Sequence, residues 1–155
     1  MNREGVSLRG LPFYEKGNLP SGEGKSMEST EPMATRPDIL RYAREKLSTE
    51  PDCPFSGDTQ TLVLRHADSG KWFALLMRVR ADRLTLKRGG EVEIMNVKVD
   101  PLLTGSLRTQ RGILPAYHMN KERWISVLLD GSVPLEQALA LLDMSFSLTR
   151  RRAAR

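Results

Sequence analysis

The chain has 155 residues, of which 39% are apolar and 28% charged, and its formal net charge is +5. This length and apolar content suit a single domain with one modest core. The longest apolar runs fall far short of the roughly 20 residues that cross a bilayer, and the first thirty residues lack the apolar core of a secretion signal. The single cysteine, Cys53, cannot form an intrachain disulfide. We therefore expect a cytoplasmic protein without membrane contact.

Positive charge is concentrated at the C-terminal end of the chain. Residues 150–155 contain four arginines, whereas residues 36–149 contain 16 basic and 14 acidic residues. A basic tail attracts any polyanion without sequence preference. The tail therefore favours contact with nucleic acid only weakly, and a solvated terminus is the simpler interpretation.

The composition divides the chain into three regions. Residues 1–35 hold five glycines and three prolines without helical or strand periodicity, which predicts a disordered N-terminal extension. Residues 36–149 carry the periodic apolar pattern of a folded domain. Residues 150–155 form the basic C-terminal tail.

The first half of the domain predicts one helix followed by three strands. Thr35 is a capping residue before Pro37, so a helix should begin here and run to about residue 48. Residues 59–66 and 71–79 are β-rich and predict a hairpin. Residues 91–99 predict a third strand, in which a change of apolar phase near Met95 and Asn96 suggests a bulge or a bend. Residues 83–88 are expected to form a short edge strand.

The second half predicts a helix, two strands and a final helix. Asp100 and Pro101 should open a short helix that ends before Gly112. Residues 113–117 and 124–129 predict strands, and the last helix should start near residue 132 and continue past Phe146. The order α-β-β-β-α-β-β-α predicts an α+β fold, an antiparallel sheet with helices packed on one face.

The residues that usually carry catalysis do not form a recognisable constellation. The two histidines, His66 and His118, lack H-x-x-x-H spacing and a neighbouring Cys/His cluster, and no serine lies in G-x-S-x-G. We therefore expect no catalytic residues, no metal and no cofactor, and a protein that is not an enzyme.

Basic and planar residues instead alternate along the predicted hairpins. Lys71, Lys98, Lys121 and Arg123 could neutralise phosphates, and Tyr117 and Trp124 offer planar surfaces. The same pattern would arise if the tryptophans were buried and the cations only solubilised strand edges.

Four sequence blocks together resemble the MmcQ/YjbR family. They are Lys71-Trp72-Phe73-Ala74-Leu75, Asn96-Val97-Lys98-Val99-Asp100-Pro101, Pro115-Ala116-Tyr117-His118-Met119-Asn120-Lys121 with Trp124, and Leu142-Asp143-Met144-Ser145-Phe146. The blocks occur in the family's order and span roughly residues 36–149. Val99 stands where close relatives tend to have cysteine, and Phe146 where many have tyrosine.

The resemblance implies a YjbR-like fold similar to that of secretion chaperones, and DNA binding through a double-wing motif. The positions that match the family's blocks are Lys71, Trp72, Asn96, Lys98, Tyr117, His118, Asn120, Lys121 and Trp124. In this interpretation the lysines and Arg123 neutralise phosphates, while His118 and Asn120 form hydrogen bonds in a groove.

Two alternatives remain open at the level of sequence. The domain could be a protein-interaction or chaperone-like module whose sheet or final helix contacts another protein. It could also bind a small ligand in a pocket formed by Tyr117, His118, Asn120 and Trp124. Clustering of the lysines on one exposed face would favour DNA, and convergence of these four residues would favour the small ligand.

Overall fold

Three helices and five strands make up the regular structure in the computed structural model, which describes residues 31–58 and 60–150. They are α1 (Arg36–Lys46), β1 (Leu62–Arg65), β2 (Trp72–Arg80), β3 (Glu91–Lys98), α2 (Pro101–Leu107), β4 (Ile113–Pro115), β5 (Trp124–Leu128) and α3 (Leu135–Thr149). This order confirms the predicted α+β class. The predictions for residues 1–30 and 151–155 concern parts of the chain outside the described residues.

The five strands form one antiparallel sheet in the order β1-β2-β3-β5-β4. Ala74 in β2 pairs with Val97, and Lys98 at the end of β3 pairs with Trp124 at the start of β5. Because neighbouring strands run in opposite directions, the starts of β2 and β5 and the end of β3 lie at the same end of the sheet.

All three helices contribute to the larger hydrophobic core. Ile39 and Ala43 of α1 and Leu142 of α3 are fully buried, and Leu107 of α2 packs against the same cluster. The sheet supplies alternate residues of its strands to this cluster, namely Leu64, Ala74, Leu76, Met95, Val97, Ile125 and Val127. Removing these side chains from water is the main favourable contribution to folding.

Polar side chains fasten α1 and α3. Thr35 caps α1 by accepting a hydrogen bond from the backbone N–H of Asp38 at 3.4 Å, as its sequence position predicts. The hydroxyl of Tyr42 in α1 donates to the carboxylate of Asp143 in α3 at 2.9 Å. Burial and the carboxylate together raise the pKa of Tyr42 well above its ordinary value.

The opposite face of the sheet carries a second, smaller hydrophobic cluster. Val79, Val92, Ile94 and Leu128 pack there beneath a 3₁₀ helix, Ala81–Leu84. Residues 94–97 of β3 are consequently buried on both faces of the sheet. Burial on both sides explains the change of apolar phase in this strand.

The bulge predicted near Met95 is wrong, because β3 pairs with β2 without interruption. The irregularity lies instead between β1 and β2, where Leu64 pairs with Ala74 but Arg65 pairs with Trp72. Phe73 is the additional residue of this bulge and is fully buried.

Two further expectations differ from the structure. Residues 83–88 do not form a strand, because the 3₁₀ helix ends at Thr85 in the left-handed region with a φ of 61°. Order also begins before Thr35, since Ala34 is fully buried and its backbone N–H donates to the carbonyl of Val133 at 2.8 Å. The folded region therefore includes residues that the composition assigned to the disordered extension.

Among the residues that the structure describes, no helix has the length and apolar character that crossing a membrane requires.

Candidate nucleic-acid interface

Four cationic residues come together at the end of the sheet where β3 stops and β5 starts. Lys98 is the last residue of β3, and Lys121 and Arg123 lie just before β5. Arg108, at the C-terminal end of α2, donates from Nη1 to the carbonyl of Lys121 at 3.3 Å. Lys98 is half-buried and the other three are exposed. We call these four residues the basic end.

Backbone contacts hold the segments of the basic end together. The N–H of Val99 donates to the carbonyl of Arg123 at 2.8 Å, directly after Lys98. The hydroxyl of Thr104 in α2 donates to the carbonyl of Glu122 at 2.7 Å. These bonds join α2 and the end of β3 to residues 121–123, so the four cations are carried by a connected framework.

The turn before β5 depends on Asn120. Its side-chain oxygen accepts from the N–H of Glu122 at 2.8 Å, and its carbonyl accepts from the N–H of Trp124 at 3.0 Å. Asparagine favours such a turn because its side chain can replace a backbone acceptor. Asn120 is exposed, but its carboxamide oxygen already shapes the turn that presents Lys121 and Arg123.

Asn96 lies beneath this loop and has no exposed surface. Its Nδ2 donates to the carbonyl of Tyr117 at 2.9 Å, and its Oδ1 accepts from the hydroxyl of Ser126. The same hydroxyl accepts from the N–H of Tyr117 at 2.9 Å. Because these partners occupy its carboxamide, Asn96 anchors the loop, and the structure removes it from the surface that could contact a partner.

The basic end differs in its pairing from four arginines elsewhere on the surface. Arg78, Arg80 and Arg88 form ion pairs with Glu93, Asp82 and Asp130, and Arg65 pairs with Asp52. Within residues 31–58 and 60–150, none of the four residues of the basic end has a carboxylate partner. To bind an anion, none of these four cations would have to break an ion pair with another described residue.

Lys71 and Trp72 lie at the same end of the sheet as the basic end, but nearer the edge formed by β1. Trp72 begins β2 and Lys71 directly precedes it; β2 is two strands away from β5, which corresponds to roughly 10 Å of strand spacing. The ring of Trp72 packs edge-on against Phe55 at 6.0 Å and is half-buried. Lys71 is exposed in the β1–β2 connection and extends the cationic surface across the sheet end.

His118 belongs to a different part of the surface. It adopts a left-handed backbone with a φ of 59°, and its ring meets that of Tyr117 at 4.0 Å. Both rings line an open groove of about 340 Å³ together with three arginines and two acidic residues, namely Arg78, Arg80, Arg83, Asp58 and Glu91. Asn120 and Trp124 are not part of this groove. The groove therefore brings together two of the four residues that the small-ligand alternative places in one pocket.

The other histidine, His66, is buried against α3. Its Nε2 lies 2.8 Å from the hydroxyl of Thr149, and its ring packs on Phe73 and Phe146 at 5.0 and 4.5 Å. Burial lowers the pKa of His66 below its ordinary value, and the positive charge of Arg150 acts in the same direction. His66 is thus a structural residue.

Sequence reasoning missed Arg108 and the contribution of α2. Arg108 lies near the end of a predicted helix and belongs to none of the sequence blocks that carry the family resemblance. Only the contact between α2 and residues 121–123 brings it beside Lys121. In the described part of the chain, His, Cys, Asp and Glu residues form no group of three or more that could hold a metal ion.

The fold and this surface define a small α+β domain with a basic, unpaired end to its sheet. The family model YjbR matches residues 44–148. The chain therefore belongs to the YjbR family, as the four sequence blocks suggested.

Its relatives agree with that assignment. The chain is 40% identical over 118 residues to the uncharacterized protein YyaQ of Bacillus subtilis, which covers 76% of the chain and 100% of YyaQ. The uncharacterized protein YjbR of Escherichia coli K12 is 40% identical over 53 residues, or 34% of the chain and 45% of that protein.

Solved structures share the fold. A crystal structure of a Pseudomonas syringae protein has a TM-score of 0.73 and 43% identity, covering 75% of the chain and 99% of that protein. A crystal structure of a Deinococcus radiodurans protein has a TM-score of 0.59 and 29% identity, covering 80% and 84% respectively.

Proposed function

We propose that this protein binds DNA through the basic end, with Lys98, Arg108, Lys121 and Arg123 contacting phosphates. The observation that carries the proposal is the absence of carboxylate partners for these four residues among the described residues, while Arg78, Arg80 and Arg88 are paired. A cation that already has a carboxylate partner must give it up to bind a phosphate. An unpaired cation on a hydrogen-bonded framework has no such cost.

The arrangement of the hairpins supports this interpretation. The β1–β2 connection carries Lys71, and the β4–β5 connection carries Lys121 and Arg123. Both connections lie at the same end of the sheet because β2 and β5 run parallel to each other. These two connections would act as the wings of a double-wing motif, with Lys98 between them.

Phosphate contacts make a specific prediction about salt. Each neutralised phosphate of duplex DNA contributes about −0.9 to the slope of log K against log salt concentration. Four contacts from the basic end therefore predict a slope of roughly −3 to −4. Contacts of this kind fix orientation and carry little information about base sequence.

A fluorescence titration of a short labelled duplex tests the proposal. The chain ending at Arg150 is compared with the full chain, because α3 ends at Thr149 and the arginines at 151, 152 and 155 are then absent. Salt-dependent binding by the shorter chain would place DNA contact on the folded domain. Binding that vanishes with these three arginines would refute the proposal.

The groove beside His118 supports a second candidate function, the binding of a small anion. Arg83 lines this groove and has no carboxylate partner among the described residues, and His118 holds an uncommon left-handed backbone. Such backbone conformations in non-glycine residues concentrate at functional sites. Titration with inorganic phosphate, followed by nuclear magnetic resonance, should shift the amide signals of residues 117 and 118 in the wild type and not in Arg83→Ala.

A further inference from the structure

The most exposed large apolar side chain in the described residues is Leu102, which is 90% exposed at the start of α2. Its neighbours Pro101 and Leu103 are also exposed, with Leu103 at 40%. These three residues form an apolar tip. Most of its surface is not used in packing the domain.

The apolar tip is held firmly in place. The carboxylate of Asp100 caps α2 by accepting from the N–H of Leu102 at 2.9 Å. Pro101 fixes the backbone in the first turn of the helix. The hydroxyl of Thr104 binds the segment before β5 at 2.7 Å. A hydrophobic side chain is thus presented to solvent on a rigid support.

Its place in the chain puts the apolar tip near the segments that carry the basic end. Leu102 lies four residues after Lys98, and α2 ends beside Arg108, whose side chain contacts the carbonyl of Lys121. The apolar tip therefore projects from the same framework that carries the four unpaired cations. A partner that meets this surface must present negative charge and accept an apolar side chain.

We propose that Leu102 is a wedge that inserts between stacked base pairs when the basic end holds the phosphates of a DNA duplex. This inference rests on the DNA binding proposed above. Proteins that bend DNA insert single apolar side chains, leucine among them, at a base step and partly unstack it. The flexible pyrimidine–purine steps should be the preferred sites because they unstack at the lowest cost.

A membrane surface fits this region less well. Binding to a bilayer surface scales with the apolar area of an amphipathic helix. Helix α2 has only seven residues, and after the tip it continues with Thr104, Gly105 and Ser106. One leucine with a partly exposed neighbour offers little apolar area for binding a bilayer. The same side chain is large enough to insert at one base step.

The test uses the full chain and a duplex in which 2-aminopurine replaces adenine at a central TA step. Unstacking raises the emission of 2-aminopurine, so the wild type should increase it at saturation. Leu102→Ala should lower that increase about twofold or more. Lys121→Ala should weaken the affinity for the duplex but give the same emission increase as the wild type once the duplex is saturated.

Leu148→Ala is the matched control, because Leu148 is also exposed, at 44%, but lies near the end of α3. It should behave as the wild type does. Binding with an equal emission increase in the wild type and Leu102→Ala would overturn the wedge and leave the proposed DNA binding intact. If the wild type fails to bind DNA, both proposals fall. In that case, binding of anionic phospholipid vesicles by the wild type but not by Leu102→Ala would assign the apolar tip to a membrane surface.

Discussion

The hydroxyl of Ser126 donates to the side-chain oxygen of Asn96 across β5 and β3 at 2.5 Å, and neither residue has exposed surface. Both side chains also bind the backbone of Tyr117, with Asn96 donating to its carbonyl and Ser126 accepting from its N–H. This buried network is the anchor that joins the loop before β5 to the sheet.

Replacement of Asn96 should therefore destabilise the protein strongly. Asn96→Ala leaves the carbonyl of Tyr117 and the hydroxyl of Ser126 without their partner in a buried region, at a cost of about 2–3 kcal/mol in the free energy of unfolding. Chemical denaturation measures this quantity. Asn120→Ala, at an exposed turn, should cost less than about 1 kcal/mol. Equal effects of the two substitutions would contradict the role assigned to Asn96.

Ser145 is a second buried anchor, on the opposite side of the sheet. Its hydroxyl donates to the carbonyl of Phe73 at 2.6 Å and accepts from the N–H of Lys98 at 2.8 Å. It thus bonds backbone groups of β2 and β3 next to the bulge. Ser145→Ala should lower the free energy of unfolding by about 2 kcal/mol, because both backbone groups lose a buried partner.

The neighbouring Ser147 is exposed on α3 and is the matched control for Ser145. Ser147→Ala should change the free energy of unfolding by less than about 0.5 kcal/mol. If Ser145→Ala changes the free energy of unfolding as little as Ser147→Ala does, Ser145 is not the anchor. Another group must then form hydrogen bonds with the carbonyl of Phe73 and the N–H of Lys98.

The lowered pKa of His66 predicts a loss of stability in mild acid. Its folded-state pKa is lowered by burial, so the folded protein binds the proton less readily than the unfolded chain does. The stabilising contribution is complete above the unfolded pKa, near 6.5, and is lost as the pH falls below that value. The free energy of unfolding should therefore decrease between pH 7.5 and pH 5.

His66→Gln isolates this contribution, since glutamine does not titrate and can still donate toward Thr149. Its free energy of unfolding should vary less over the same pH range than that of the wild type. Asp68 and Lys71 also influence His66, but they act in opposite directions. Parallel pH profiles for the two proteins would show that His66 is not the titrating group.

The pairing of surface cations predicts which substitutions affect the proposed DNA binding. Lys121→Ala and Arg80→Ala each remove one positive charge, but Arg80 is paired with Asp82 at 2.5 Å and Lys121 has no carboxylate partner among the described residues. Lys121→Ala should reduce the magnitude of the salt slope by about 1, and Arg80→Ala should leave it nearly unchanged. A similar loss in both variants would mean that only net charge matters.

The elements with strong local signals were predictable. Thr35 and Asp100 occupy capping positions before a proline, and both helices begin where these residues indicate. The interaction that caps a helix lies within one turn of the chain, so a short stretch of sequence contains all of it. The blocks of the YjbR family likewise identified the fold without any structural information.

The sequence by itself thus determined the class of fold, the order of its elements and the family. Only the tertiary structure decided that Asn96 is a buried anchor, that His118 lines a separate groove, that Arg108 contacts the carbonyl of Lys121, and that Leu102 is exposed. The physical reason for this difference is how far apart in the chain the interacting residues lie. Caps and apolar periods act between near neighbours, whereas burial, ion pairing and the joining of α2 to the β4–β5 connection depend on residues distant in the chain.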